Sequence, residues 1–252
     1  MPTRNDIHTS GWRRPESVGR APHVGKITAV GSVLTQLDSL LILPNRPSAY
    51  NQKRVGSCTA QSLALSVEIL APLGGYTAER PDRRHLYGRE RRLLGTFYED
   101  SGALISDGVD VLRAGWEPEG AYNDESWNAD FLVTPPVLVA DSPRLVNAEA
   151  LAAYSIESIA WEIASSHPVV IGLSITDDWF DGGPKLRKPA GPSVGGHAVT
   201  LVGFDIPARC WRVQNSWGLE WGEDGCAWLP WEWTSLPWCG EAFSLRSIRR
   251  AD

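Results

Sequence analysis

Four side chains in this sequence could act together on a carbonyl: Gln52, Cys58, His197 and Asn215. In "NQKRVGSCTAQSLA", residues 51–64, a Gln stands six positions ahead of a Cys, and the Cys falls where a loop gives way to an apolar pattern of helical period. A thiol in the first turn of a helix meets unpaired N–H groups and the positive end of the macrodipole, which favour thiolate over thiol. Position alone leaves a second reading open, because Cys is among the most buried residue types and packs as a small hydrophobe. Two later stretches favour chemistry. "GGHAVTLVGFD" puts His197 at the head of an apolar strand behind two glycines, and "WRVQNSWGLEWGEDG" puts Asn215 at the end of the next strand. An Asn carbonyl can accept from one imidazole nitrogen and fix the ring's tautomer, leaving the other nitrogen to meet a thiol.

The elements that must hold these residues can be read from periodicity. Ala60, Leu63, Ala64, Val67 and Leu70 recur at three- and four-residue intervals after Ser57, the expected N-cap, and Pro72 with Gly74 and Gly75 supplies a stop. Further helices are expected over Arg83 to Leu94, Ile105 to Ala114 and Ala148 to Ser166, the last ended by Pro168. Beyond Pro168 the texture changes to short β-branched and aromatic runs: "VVIGLSI", "HAVTLVGF", "CWRVQN", "CAWLP" and "EAFSLRSI". A helical half followed by an antiparallel half predicts an α+β protein with its site between the halves. Residues 1–30 read as an extended or partly disordered arm, and 31–252 as one domain with a helical lobe over about 50–140 and a β lobe over about 141–250.

Composition narrows the chemistry. The 252 residues are 42% apolar, enough for a full core, and 24 basic against 30 acidic side chains give a net charge of −6, which argues against a polyanion as partner. The run "RERR" at Arg89 to Arg92 reads as a solvated helix face rather than a nucleic-acid patch. No stretch approaches the roughly eighteen apolar residues of a membrane span, and the first 26 residues lack the apolar core of a secretory signal, so a cytoplasmic protein is expected. Four cysteines without a Cys-x-x-Cys pair predict reduced thiols, and His85 and His167 stand without a second ligand at metal-binding spacing, so no metal or other cofactor is expected.

In the register Val55-Gly56-Ser57-Cys58-Thr59, with His197 downstream and Asn215, Ser216, Trp217, Gly218, Trp221, Gly222 and Gly225 beyond it, the chain resembles the papain-like cysteine peptidases, whose nucleophile signature is Cys-Gly-Ser-Cys-Trp. The resemblance implies a two-lobed fold with an antiparallel, barrel-like second lobe, and a peptide or protein substrate. It implies Cys58 as nucleophile, His197 as base and acid, Asn215 as the residue orienting it, and Gln52 with the Cys58 N–H as oxyanion hole. Trp217 would shield the Asn–His bond, Trp221 would wall the leaving-group side, and Ser101, Gly102, Gly172, Leu173 and Gly196 would line the substrate site. Val55 and Thr59 depart from the signature, removing a disulfide Cys and an indole. That departure, and the little chain before Gln52, resemble compact bacterial members without a long inhibitory propeptide, so an open cleft in the intact chain is expected. The same residues could pass the acyl group to an amine instead of water, as a ligase or cyclase, and an idle binding scaffold is a third reading.

Overall fold

The structure is a computed structural model that describes residues 11–20, 33–76, 80–118, 143–152, 155–235 and 237–249. Among the described residues four α-helices and seven strands follow one another as β1 (Leu40–Ile42), α1 (Cys58–Leu70), α2 (Arg83–Leu94), α3 (Ile105–Ala114), β2 (Arg144–Ala150), α4 (Ile156–Ala164), β3 (Val169–Ile175), β4 (Gly195–Asp205), β5 (Cys210–Gln214), β6 (Cys226–Pro230) and β7 (Cys239–Arg249). The strands make one antiparallel sheet in the order β2-β7-β3-β4-β5-β6, with β1 also on β4. Among the described residues no pairing joins β6 to β2. The class is α+β.

All thirteen residues of α1 are buried, because the helix is wedged between α2 and α3 on one side and the sheet on the other. Its polar residues are paired: Gln61 accepts from Arg83 Nη1 at 2.8 Å, and Glu68 accepts from Arg80 Nε at 3.0 Å and from the Tyr50 hydroxyl. Thr200 Oγ1 of β4 donates to Ser62 O at 3.1 Å and fixes the helix against the strand that carries His197. Ser57 precedes the helix as expected, but its hydroxyl caps no backbone N–H and instead accepts from Gln61 Nε2 at 3.2 Å.

Strand β3 explains its unbroken apolar sequence. Val169, Ile171, Leu173 and Ile175 enter a core built with α4 and the tryptophans of the C-terminal half, whereas Val170 enters a second core with α1 and α3. Both faces are covered, so the period of two is hidden.

Two expectations are corrected. The helix expected over Ala148 to Ser166 is a strand to Ala150 and a helix only from Ile156, because Ala148, Glu149 and Ala150 pair with Leu245, Ser244 and Phe243 of β7. Ser155 starts the shorter helix, its hydroxyl accepting from Ser158 N at 3.3 Å. The run at Arg89 to Arg92 is not simply a solvated face, since Glu90 and Arg91 are buried, with the Arg91 guanidinium 4.2 Å over the Tyr87 ring.

Candidate active site

The fold brings Gln52, Cys58, His197 and Asn215 together from four separate segments. Cys58 is the first residue of α1 and fully buried, and the backbone N–H of Ala198, next to His197, donates to its sulphur at 3.3 Å. His197 lies on β4, with Nε2 2.7 Å from Asn215 Oδ1 and Nδ1 without a hydrogen-bond partner among the described residues. Asn215 follows β5, held by its backbone N–H on Gly225 O at 2.9 Å. Gly222 and Gly225 have φ of 65° and 78°, and a side chain on either would strike Cys226 O or Ala49. The glycines of the Trp-Gly repeat are therefore there to fold the loop that seats Asn215.

Gln52 reaches the site because its loop is stitched to the same segment: its N–H donates to Ser216 O at 2.8 Å, and Gly218 N donates to Tyr50 O at 2.8 Å. Its side-chain oxygen accepts from Ser216 Oγ at 2.6 Å, and Nε2 donates to Val55 O at 2.9 Å. The amide is thus fixed, with one N–H remaining to be used.

The aromatic surroundings sort the predicted tryptophans. Trp217 stacks on the His197 ring at 4.6 Å and 28°, in position to cover the Asn–His bond. Trp221 is fully buried, stacked on Trp179 with Nε1 donating to the Trp179 carbonyl. Trp179, edge-on to His197 at 6.1 Å, and Phe180, stacked on Trp217 at 5.3 Å, were not singled out in the sequence. Both sit in a short turn of helix, Asp177–Asp181, without a periodic signal.

The substrate-site expectations fare unequally. Leu173 points into the core behind the sheet, on the face opposite Gly172, as alternation along a strand requires. Gly172 and Gly196 do face the cleft, and Ser101 and Gly196 line one groove of about 510 Å³. Gly102 lies beside the docking edge: its N–H is taken by the Tyr87 hydroxyl, and the pairing residue is the next one, Ala103.

That pairing is made by the N-terminal segment, which overturns the expected free arm and open cleft for residues 11–20. Ala103 N donates to Gly11 O at 2.8 Å, Arg13 N donates to Ala103 O at 2.9 Å, and Trp12 N donates to Gly196 O at 3.2 Å. Trp12 is 2% exposed, and Gly11 lies so close over the nucleophile that a Cβ there would be 2.6 Å from Cys58 Sγ. Pro15–Val18 form a turn of helix, Arg14 bonds Ser174 Oγ and Pro237 O, and Arg20 pairs with Asp107. A lone Trp in an otherwise polar, Arg-rich stretch was the available signal.

Burial sets the electrostatics of the site. It pushes the Cys58 thiol up to about 12, with Glu90 and Asp100 adding to the rise, against the N–H donors of Ala198 and Thr59. It pushes His197 down to about 4, against the opposing pull of Asn215. Both shifts favour the neutral thiol and imidazole over the thiolate expected from the helix terminus.

Comparison with known proteins places this arrangement. A profile described as papain family cysteine protease matches residues 141–235. An uncharacterized peptidase C1-like protein of Acanthamoeba polyphaga mimivirus is 27% identical over 220 residues, 79% of this chain and 69% of that protein. A cathepsin B-like protein of Giardia intestinalis, CP3, is 27% identical over 203 residues, 71% of this chain and 62% of its own length. Among solved structures, xylellain, a cysteine protease from Xylella fastidiosa, superposes with a TM-score of 0.81 at 26% identity, covering 96% of this chain and 98% of that one.

Proposed function

This chain belongs to the papain-like family of cysteine peptidases, and from that premise we propose that it hydrolyses peptide bonds through a thioester on Cys58. The observation that carries the assignment is the His197 Nε2 to Asn215 Oδ1 bond of 2.7 Å, which leaves Nδ1 as the nitrogen able to exchange a proton with the thiol. Once the site is uncovered, His197 takes the proton of Cys58 and the sulphur attacks the carbonyl carbon. The resulting oxyanion is held by the remaining Gln52 N–H and the Cys58 backbone N–H. The C–N bond breaks as Nδ1 returns its proton to the departing amine. Water, deprotonated by the same nitrogen, then cleaves the thioester to give a carboxylate and the free thiol. Residues 11–20 hold the intact chain latent, since no carbonyl can approach a sulphur already covered by Gly11.

The test is turnover of a peptide by the uncovered enzyme against Cys58→Ala, with products weighed by mass spectrometry with and without an added amine. Hydrolysis that Cys58→Ala abolishes supports the reading. An amide of the added amine as main product replaces it with acyl transfer, and unchanged hydrolysis in Cys58→Ala removes the nucleophile.

A further inference from the structure

We propose that Tyr87 is a positioning residue for this reaction: its buried hydroxyl, with the carboxylate of Asp100, ties the edge on which a peptide backbone docks to the loop that ends in Cys58. The proposal rests on the peptidase reading and adds to it how a docked carbonyl is kept in register with the sulphur.

Tyr87, Glu90 and Arg91, three and four positions apart on α2, make one buried face of that helix. The Arg91 guanidinium lies 4.2 Å over the Tyr87 ring, and its Nη1 donates to Glu99 O. Helix and cation together fix the ring, and with it the place of the phenol oxygen. The hydroxyl donates its proton to Asp100 Oδ1 at 2.6 Å and accepts from Gly102 N at 3.0 Å. Burial raises the pKa of Tyr87, with Asp100 adding to the rise, so the proton stays on the oxygen.

These bonds run to two separate parts of the site. Asp100 also accepts from Gly56 N, with its two oxygens at 3.0 and 3.2 Å. Gly56 lies two residues before Cys58, and the carbonyl of Val55 beside it accepts from Gln52 Nε2 at 2.9 Å, so this loop carries both the nucleophile and an oxyanion donor. With Val55 where the signature has a disulfide Cys, and Cys58, Cys210, Cys226 and Cys239 all free thiols, no disulfide fixes the loop. At the other end Gly102, with φ of 75°, leads into Ala103, whose N–H and carbonyl make the bonds to Gly11 and Arg13 that an extended substrate would make in their place. Asp100 is itself exposed, so water competes for its carboxylate, whereas the phenol between the two loops is buried. The direction of the link is therefore set by Tyr87. Tyr87→Phe keeps the ring under Arg91 and deletes one oxygen, which leaves the buried Gly102 N–H without its acceptor. Gly102 then turns towards water and carries Ala103 with it, while the Cys58 loop keeps Asp100.

The test uses the full-length chain with Trp12→Ala as parent and adds Tyr87→Phe, Asp100→Ala or both, each fold checked by circular dichroism. Two readings are taken: KM and kcat for hydrolysis of labelled casein, and the concentration of N-acetyl-tetra-alanine amide, a probe that is little more than backbone, that halves the rate at which iodoacetamide alkylates Cys58. Tyr87→Phe should raise KM and the half-protecting concentration roughly tenfold, the worth of one hydrogen bond, with kcat and the unprotected alkylation rate within about twofold of the parent. In the Asp100→Ala chain the same change should raise them only about threefold, because the hydroxyl no longer reaches the Cys58 loop. Both readings unmoved by Tyr87→Phe, a fall in kcat alone, equal effects with and without Asp100, or no protection of the parent by the probe overturns the proposal. Shifted protection without casein hydrolysis defeats the peptidase reading alone, and hydrolysis with KM unmoved defeats the positioning role alone. If the Asp100→Ala chain does not fold, the split between KM and kcat in Tyr87→Phe decides.

Discussion

Around His197 the cleft wall is made of buried tryptophans and the partly buried Phe180, with Trp217 stacked on the imidazole, Phe180 stacked on Trp217, and Trp179 braced by Trp221 and Trp233. On the other side, residues 11–20 are attached by three backbone hydrogen bonds around Trp12, one buried indole and two Arg side chains reaching outward. The first region is continuous with the main core and cannot move without breaking it. The second is joined to a separate core cluster through Trp12 alone among residues 11–20. Its largest stabilising part is the Trp12 side chain, whose loss by truncation costs on the order of 3–5 kcal/mol. The difference teaches that the geometry of catalysis and access to it are stored in separate parts of the molecule.

The largest expected effect belongs to the fixed side. Gln52→Ala in the uncovered enzyme should lower kcat by about a hundred- to a thousandfold with KM little changed, the usual loss for one oxyanion donor. A full rate in that variant would take Gln52 out of the oxyanion hole and leave its bonds to Ser216 and Val55 as loop structure only.

The pH dependence of the covered state sharpens the contrast next. His197 is held at about 4 when covered, below its ordinary 6.5, so the unfolded or uncovered chain binds the extra proton first. Stability from this source is complete above about pH 6.5 and is lost as pH falls towards 4, by on the order of 3 kcal/mol. Cys58 has the opposite sign: its pKa is raised to about 12 from 9.0, so its contribution is complete below about 9 and lost as pH rises through that range. Neither His197 nor Cys58 should therefore add a pH dependence to the urea midpoints between about pH 6.5 and 9. His197→Asn should remove the part of the acid limb that His197 causes, and an identical acid limb in that variant would assign it to other groups.

A smaller loss is expected at Asn215. Its replacement by Ala should reduce activity by about ten- to a hundredfold, the worth of one hydrogen bond to a group that becomes charged, because Trp217 still stacks on the ring. Unchanged activity would separate Asn215 from the reaction.

What could be read from the sequence follows the same division. The helices over Arg83–Leu94 and Ile105–Ala114 and the strands from Val169 onward lie where periodicity and breakers put them, because each buries its pattern locally. Loop chemistry singled out Cys58, His197 and Asn215, through a helix start, glycines before the His and a Gly-Trp loop after the Asn, whereas Gln52 was singled out by the family resemblance. Ala148–Ala150 misled because helix-favouring residues were recruited by β7, a partner about 95 residues away. Leu173 misled because a strand buried on both faces hides which residue faces the cleft. The Trp12 to Glu241 bond spans 229 positions and joins an arm to a strand, and nothing local to either residue encodes it.

Central to the proposed function is that Cys58 is a nucleophile kept under a removable cover. The direct measurement is the rate at which limiting iodoacetamide at pH 7 alkylates each cysteine of the intact 252-residue chain and of the same chain with Trp12→Ala, located by peptide mass mapping. The intact chain should resist labelling at Cys58, and Trp12→Ala should label there about a hundredfold faster, the equivalent of roughly 3 kcal/mol. Rapid labelling of Cys58 in the intact chain, unchanged by Trp12→Ala, would contradict it.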